Sequence, residues 1–306
     1  MYTVLFVNHP RKNCGVYQFG RRTATALQAS SSFRVHYVEC ANTDSVADIT
    51  DKVRPDIVYY NFHPGATPWM NTRIERTWKS FKSVAAVHDD MCGVFDAYMF
   101  YGPYGSNAPA NLYECGRCCP EVSVPIPSDD RVRIATFGFA HSVKRFEHLA
   151  TLIAQSFESA QFSIHFPPNL FVDPNGESGR KESERMTNII RELNPNIKVR
   201  CSFEFLSEGE LLSFLGQHNL IVFDYHSPHK GISSVTDYAL MVRRPFAVNR
   251  SSMFRHLFSV SPSICYEDRS LSDILHAGTE PLQPLYESYS PQQFVRRHEE
   301  VFRTLL

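Results

Sequence analysis

Residues 220–249 have the types and spacing needed to hold a phosphate. The run LIVFDYHSPHKGISSVTDYALMVRRPFAVN reads as an apolar strand, a polar turn, a helix over 233–241 and a second apolar strand. Such a unit puts the loop and the helix N-terminus at the carboxyl edge of a parallel sheet, where unpaired amides and the helix dipole favour an anion. Gly231 lets the backbone approach a phosphate oxygen, Ile232 continues the loop, and Ser233 and Ser234 add hydroxyl donors. Asp237 follows one turn into the helix, too deep to face a phosphate well but able to accept hydrogen bonds from sugar hydroxyls. Two other places carry comparable chemistry. The apolar run SVAAV ends in His88, Asp89 and Asp90, at the strand end where open α/β sheets bind ligands. In RVRIATFGFAHSVKRF, Gly138 follows a strand, and Lys144 with Arg145 precedes a helix. A cation there can neutralise charge growing on a departing phosphate. A solvated basic turn accounts equally well for Arg145.

These motifs resemble the donor-binding elements of retaining glycosyltransferases with two Rossmann-like domains, the GT-B group, and glycosyltransferase family 4 in particular. That family carries two acidic residues eight positions apart; the matching positions here are His229 and Asp237, so the first acid is replaced by histidine. The resemblance implies that Asp237 holds the nucleotide ribose, that His229 lies near the donor sugar, and that His88 with Asp89 contacts that sugar. It also implies that Gly138 and Lys144 serve the departing nucleoside diphosphate. Phe139 stands where the family has arginine, and Arg145 is the adjacent cation that could substitute. Gly15, ahead of the first helix, matches a glycine through which backbone amides reach the donor phosphates; a tight turn into the helix explains it as well. Phe205 and Leu206 fall in the loop that lines the nucleotide base in the resembled fold, although core packing would also explain them.

The positioning elements alternate strand and helix, which argues for doubly wound parallel sheets. TVLFVNHP, FRVHYVEC, DIVYYNFHP and SVAAVHDD are the first strands, with helices beginning at Val16, over 45–53 and around 72–80. Over 91–124 periodicity fails and aromatic and small residues dominate; this reads as a loop-rich segment, either an acceptor surface or an irregular core flap. The Pro-bearing stretch VSVPIPSDDR sets an expected boundary. The expected organisation is therefore an acceptor-side domain over 1–127 and a nucleotide-sugar-binding domain over 128–289, facing each other across a cleft. A C-terminal helix over 290–306 is expected to pack back on the first domain. In the second domain QFSIHFP, IKVRCSFEF and SICYE read as strands, PPNLFVDPNGESGRKE as a polar loop, and Ser207 with Glu210 as a capping box.

At 306 residues the chain has room for two domains of about 130–150 residues each. Its net charge of -1 provides no global field for nucleic acid, which disfavours polyanion partners in general. No apolar run approaches the ~20 residues that cross a bilayer, and the N-terminus lacks signal-peptide flanks. A cytoplasmic protein is expected, with peripheral membrane attachment left open. Cys115, Cys118 and Cys119 form one C-x-x-C knuckle without the second pair that makes a zinc site convincing, so thiols are expected and no metal.

The resemblance implies transfer of a hexosyl or pentosyl group from a nucleoside diphosphate sugar to a glycan, lipid-linked or other hydroxyl acceptor, with retention and without metal or further cofactor. Two other readings stay open. One is a GT-B enzyme of phage type acting on a modified base in DNA, with Arg11, Lys12, Arg21 and Arg22 on phosphates. The other is a non-catalytic GT-B-like binding or scaffold subunit, motivated by His229 and Phe139.

Overall fold

Apolar runs without a polar face dominate the first sheet, because parallel strands covered by helices on both sides are buried all round. The computed structural model describes residues 1–71, 81–88, 94–128, 131–169, 173–226 and 231–306. By contact the chain divides into two units: Met1–Cys118 with Lys230–Ile232 and Glu287–Leu306, and Cys119–His229 with Ser233–Tyr286. The helix expected around 72–80 lies outside the described residues.

In the first unit β1 (Tyr2–Asn8), α1 (Gly15–Leu27), β2 (Phe33–Glu39), α2 (Thr43–Val53), β3 (Ile57–Phe62), β4 (Lys82–Val87), β5 (Ala97–Phe100) and β6 (Leu112–Glu114) follow in order. The strands pair in the order β2-β1-β3-β4-β5-β6, all parallel. Edge strand β2 alternates buried and exposed residues, whereas all of β3 is buried. β5 and β6 lie in the segment expected to be loop. AYMF is too short to show a period, but all four residues are buried, and they continue the sheet beside β4. The C-terminal helix, Pro291–Leu305, starts with Ser290 as N-cap and proline in its first turn. Its buried stripe of Phe294, His298, Val301 and Phe302 has helical spacing, and the apolar members join Val4, Phe6, Phe19, Ile57 and Tyr59 in one core. His298 fixes the helix more specifically. Its Nδ1–H donates to the Phe294 carbonyl at 2.8 Å, so Nε2 is left as acceptor for the hydroxyls of Tyr59 and Tyr101 at 3.4 and 3.3 Å.

The second unit contains β7 (Arg133–Phe137), α3 (Phe146–Ser156), β8 (Ala160–His165), α4 (Glu177–Leu193), β9 (Ile197–Ser202), α5 (Glu208–Gly216), β10 (Leu220–Phe223), α6 (Val235–Met241) and β11 (Phe246–Val248). Its parallel sheet runs β11-β10-β7-β8-β9. α4 begins inside the stretch read as polar loop, because the Asp173 carboxylate caps the amides of Glu177 and Ser178, each at 2.9 Å. The capping box of Ser207 and Glu210 starts α5. SICYE does not form the expected strand; Pro262–Ile264 turns as a 3-10 helix, and Cys265 makes a single bridge to Val248. Among the described residues no helix is long and apolar enough to cross a membrane.

Both units are doubly wound. In the first unit the second crossover (β2 to β3) and in the second unit the third (β9 to β10) pass to the other side of the founding strand, giving a topological switch point between β1 and β3 and another between β7 and β10.

Burial holds His298 at about 4 and His218 at about 4, below the ordinary 6.5. The unfolded chain therefore takes up protons that the folded chain refuses. Stability from these groups is fully present above pH 6.5 and is lost as pH falls from 6.5 toward 4, at about 1.4 kcal/mol per group and pH unit. Thermal unfolding between pH 7.5 and 4.5 should show this fall, and in His298→Gln the slope should be shallower by about one proton.

Candidate functional site

The switch point of the second unit collects charge. β7 runs into Gly138, whose φ of +144° suits glycine, and whose Cβ, if it had one, would collide with the Lys144 side chain. The Lys144 main chain bridges to Tyr225 just beyond β10, and Arg145 donates its backbone N–H to the Asp224 carbonyl at 3.0 Å. Asp224 has a fully buried side chain. Its carboxylate meets the Arg145 guanidinium at 3.6 Å and His148 Nδ1 at 2.5 Å, so it ties the end of β10 to the first turn of α3. Across the strands, Tyr225 and Asn249 exchange two hydrogen bonds of 3.0 and 2.8 Å, which clamp the ends of β10 and β11.

Lys144 is the unusual group. Its ammonium stands 5.7 Å from the Phe139 ring centroid and 5.1 Å from that of Tyr225, and makes no ion pair among the described residues. Ring faces return only part of the hydration that a lysine loses. Burial accordingly pulls Lys144 down to about 7. It lines a cavity of about 650 Å³, together with Arg145 and His148 on one side and Lys181, Glu182 and Arg185 of α4 on the other. Arg185 is shared by Glu147 at 3.4 Å and Glu182 at 3.6 Å. Burial, then the Glu147 charge, raises Glu182. An oxyanion entering here would find Lys144 uncommitted.

The switch point of the first unit carries mainly neutral groups and is closely hydrogen-bonded. Asn8 at the end of β1 and Asn61 on β3 have no exposed surface. Asn61 reaches His88, just past β4, with Oδ1 2.8 Å from His88 Nε2. On the other side, Asn8 Nδ2 donates to Tyr37 Oη at 3.1 Å, and Tyr37 and Tyr17 both donate to the Glu39 carboxylate at 3.1 and 2.6 Å. Burial, then His63, Arg117 and His9, lowers His88 to about 3. Burial, then Arg11, lowers His9 to about 4. His9, His63 and His88 are near one another, but backbone amides donate to Nδ1 of His9 and of His63. Neutral rings so held carry the proton on Nε2, an arrangement for hydrogen bonding to oxygen rather than for metal. Among the described residues no group of His, Cys, Asp or Glu could hold a metal ion. Cys115, Cys118 and Cys119 are buried, and burial pushes Cys115 up to about 12.

Of the residues nominated from sequence, Gly138, Lys144 and Arg145 come together at one corner, with Asp224 behind them. Gly15 opens α1 with nothing within 4 Å of where a Cβ would stand. Gly231 and Ile232 group with the first unit, where Ile232 packs on the cluster of Leu5 and Val7, while Ser233 and Ser234 group with the second. Asp237 is fully buried in the first turn of the seven-residue α6. Phe205 and Leu206 are half-buried between β9 and α5. His229, Asp89 and Asp90 lie outside the described residues. The sequence reading missed Asp224, His148, Tyr225, Asn8 and Asn61. Asp224 had the same signal as His88, a polar residue directly after a buried apolar strand, and Asn61 interrupts the apolar run of β3.

No protein-family model matches the sequence, and no curated protein matches it. Solved structures do match. A sucrose-phosphate synthase from Thermosynechococcus elongatus superposes with a TM-score of 0.70 at 11% identity, over 100% of this chain and 99% of that one. An alpha-glucosyltransferase in complex with UDP-glucose and DNA gives 0.57 at 10%, over 99% and 94%. A variant of S. aureus TarM, in complex with UDP and alpha-GlcNAc-glycerol, gives 0.57 at 12%, over 84% of this chain; the chain spans 58% of TarM. At such identities the likeness establishes the fold, which is the GT-B fold of these glycosyltransferases.

A non-titrating oxyanion at the cavity should pull Lys144 back toward its charged form. In an NMR titration of the lysine ε-methylenes, Lys144 should have its midpoint near 7 and move upward in saturating sulfate. A midpoint near the usual lysine value of about 10.4, unmoved by sulfate, would contradict the site.

Proposed function

We propose that this protein transfers a sugar from a nucleoside diphosphate sugar to a hydroxyl acceptor. The observation that carries the reading is Lys144: an uncommitted ammonium held over two aromatic rings, beside a cavity of about 650 Å³, at the carboxyl edge of a sheet whose fold is shared with UDP-binding transferases. In this reading the second unit takes the nucleotide and the first takes the acceptor. The bond from the sugar C1 to the diphosphate oxygen breaks, and the bond from C1 to the acceptor oxygen forms. The acceptor hydroxyl's proton passes to the departing phosphate, so no separate base is called for. Lys144 would meet the charge that grows on that phosphate, where an interaction strengthened in the transition state lowers the barrier most. Arg145, oriented by Asp224, would add a second cation. Phe205 and Leu206 are assigned the base and Ser233 and Ser234 the phosphates, whereas Asp237, with no exposed surface, is left without the ribose contact that the resemblance implied. Retention, independence from metal and a neutral saccharide or lipid-linked acceptor belong to the same proposal.

DNA as the acceptor is a second reading, supported by the likeness to a DNA-bound alpha-glucosyltransferase and by Lys12 and Arg21 along a groove of about 290 Å³ in the first unit. Arg22 is buried and drops out of that phosphate-contacting set.

A thermal-shift panel of UDP, GDP, ADP and dTDP, with and without attached sugars, tests the donor. One nucleotide at 100 times its dissociation constant should add about 2.7 kcal/mol of stability. The shift should vanish in Lys144→Met while the variant's own unfolding stays cooperative. No shift with any nucleotide would contradict the reading.

A further inference from the structure

The orientation of Asn61 is determined by its neighbours. Asn8 is anchored first: its Oδ1 accepts from the His9 backbone N–H at 2.9 Å, and its Nδ2 donates to the Tyr17 carbonyl at 3.1 Å. Asn61 Nδ2 then points at two acceptors, the Val16 carbonyl at 2.7 Å and Asn8 Oδ1 at 2.9 Å. Turning the Asn61 amide over would set oxygen against oxygen at both contacts. Asn61 Oδ1 must therefore face His88, and the 2.8 Å contact is a hydrogen bond donated by His88 Nε2–H. Gly20 makes the arrangement possible, since a Cβ there would stand within 3.0 Å of both amide groups.

With the proton on Nε2, the Nδ1 of neutral His88 is a lone pair, and it makes no hydrogen bond among the described residues. The ring itself is held by the edge of Phe19, 4.8 Å between centroids. A lone pair accepts from a hydroxyl or an amine. It has nothing to offer an ionised phosphate or carboxylate.

We propose that Asn61 is a positioning residue: it fixes neutral His88 as the Nε2–H tautomer, so that the sugar contact which the resemblance implies for His88 is made by an Nδ1 that can only accept. The proposal rests on the transferase reading and deepens it, by naming the residue that sets how His88 meets a sugar hydroxyl. The burial that keeps His88 uncharged keeps that preference intact through the neutral pH range. The hydroxyl can come from the sugar of the donor or from a saccharide acceptor, and the two sources are separable.

Long-range 1H–15N spectra of histidine-labelled protein read the tautomer directly. Wild type should show His88 as the Nε2–H form. Asn61→Leu, which removes the acceptor facing Nε2, should lose that form. A mixed or Nδ1–H wild type, or a tautomer unchanged in Asn61→Leu, overturns the proposal. Thermal-shift titrations then identify the source, with UDP binding serving as the check that each variant is folded. If the donor supplies the hydroxyl, the gain in affinity of UDP-glucose over UDP should drop roughly three- to tenfold in Asn61→Leu while UDP itself binds as before. If the acceptor supplies it, the binding of maltose to the UDP complex should drop instead. No loss in either arm overturns the proposal. Failure of every nucleotide to bind contradicts the transferase reading separately, and the tautomer spectra still decide the role of Asn61.

Discussion

A strand buried on both faces can carry a polar side chain only where a neighbour satisfies it or where the strand ends, and most of this molecule's chemistry follows from that constraint. In both units the central strands are closed to water along their length, so Asn8, His88, Gly138 and Asp224 all fall just inside or just past a strand terminus. Parallel pairing aligns those termini on one edge. The reversal of strand order beside β1 and beside β7 then opens the edge at one point in each sheet.

The two edges solve the cost of buried polarity differently. In the first unit the groups are amides, imidazoles and phenols, joined from His88 through Asn61 and Asn8 to Tyr37 and Glu39, so that donors and acceptors are matched across four strands. A network whose one charge sits at its outer end, on exposed Glu39, specifies geometry without a large desolvation cost. In the second unit a buried carboxylate, Asp224, is held by Arg145 and His148, an arrangement costly to break because the charge would be stranded. Lys144 stays outside that pairing. One edge presents neutral hydrogen-bonding groups and the other a cation outside any ion pair among the described residues; in the proposed transfer the first would orient hydroxyls and the second would receive an oxyanion.

Much of the framework was legible in the sequence. LIVF is β10 residue for residue, the Ser207 box opens α5, and the alternation of apolar runs with amphipathic helices defined two parallel sheets. What escaped had a physical cause. β5 and β6 are four and three residues long, below the length at which a period is visible, and only burial against β4 makes AYMF a strand. The start of α4 depended on Asp173 reaching forward to cap it, a side-chain contact hidden in a polar run. Asn61 and Asp224 were missed because each acts on a residue distant in sequence: Asn61 on His88, and Asp224 on Arg145 and His148. The nominated cations were visible as types, but that Lys144 makes no ion pair among the described residues while Arg145 is tied to Asp224 could be read only from their neighbours.

The central claim is that the Lys144 edge serves the departure of a nucleoside diphosphate, and release of that product measures it most directly. Purified protein would be incubated with UDP-, GDP-, ADP- and dTDP-sugars in turn, with a mixed panel of saccharide and DNA acceptors, and free nucleoside diphosphate quantified over time. The account predicts release from one class of donor, dependent on acceptor, and reduced at least a hundredfold in Lys144→Met, on the order expected for loss of one charge-stabilising contact. Tight nucleotide binding with no release from any donor would contradict it, and would leave a binding subunit that keeps the fold without the reaction.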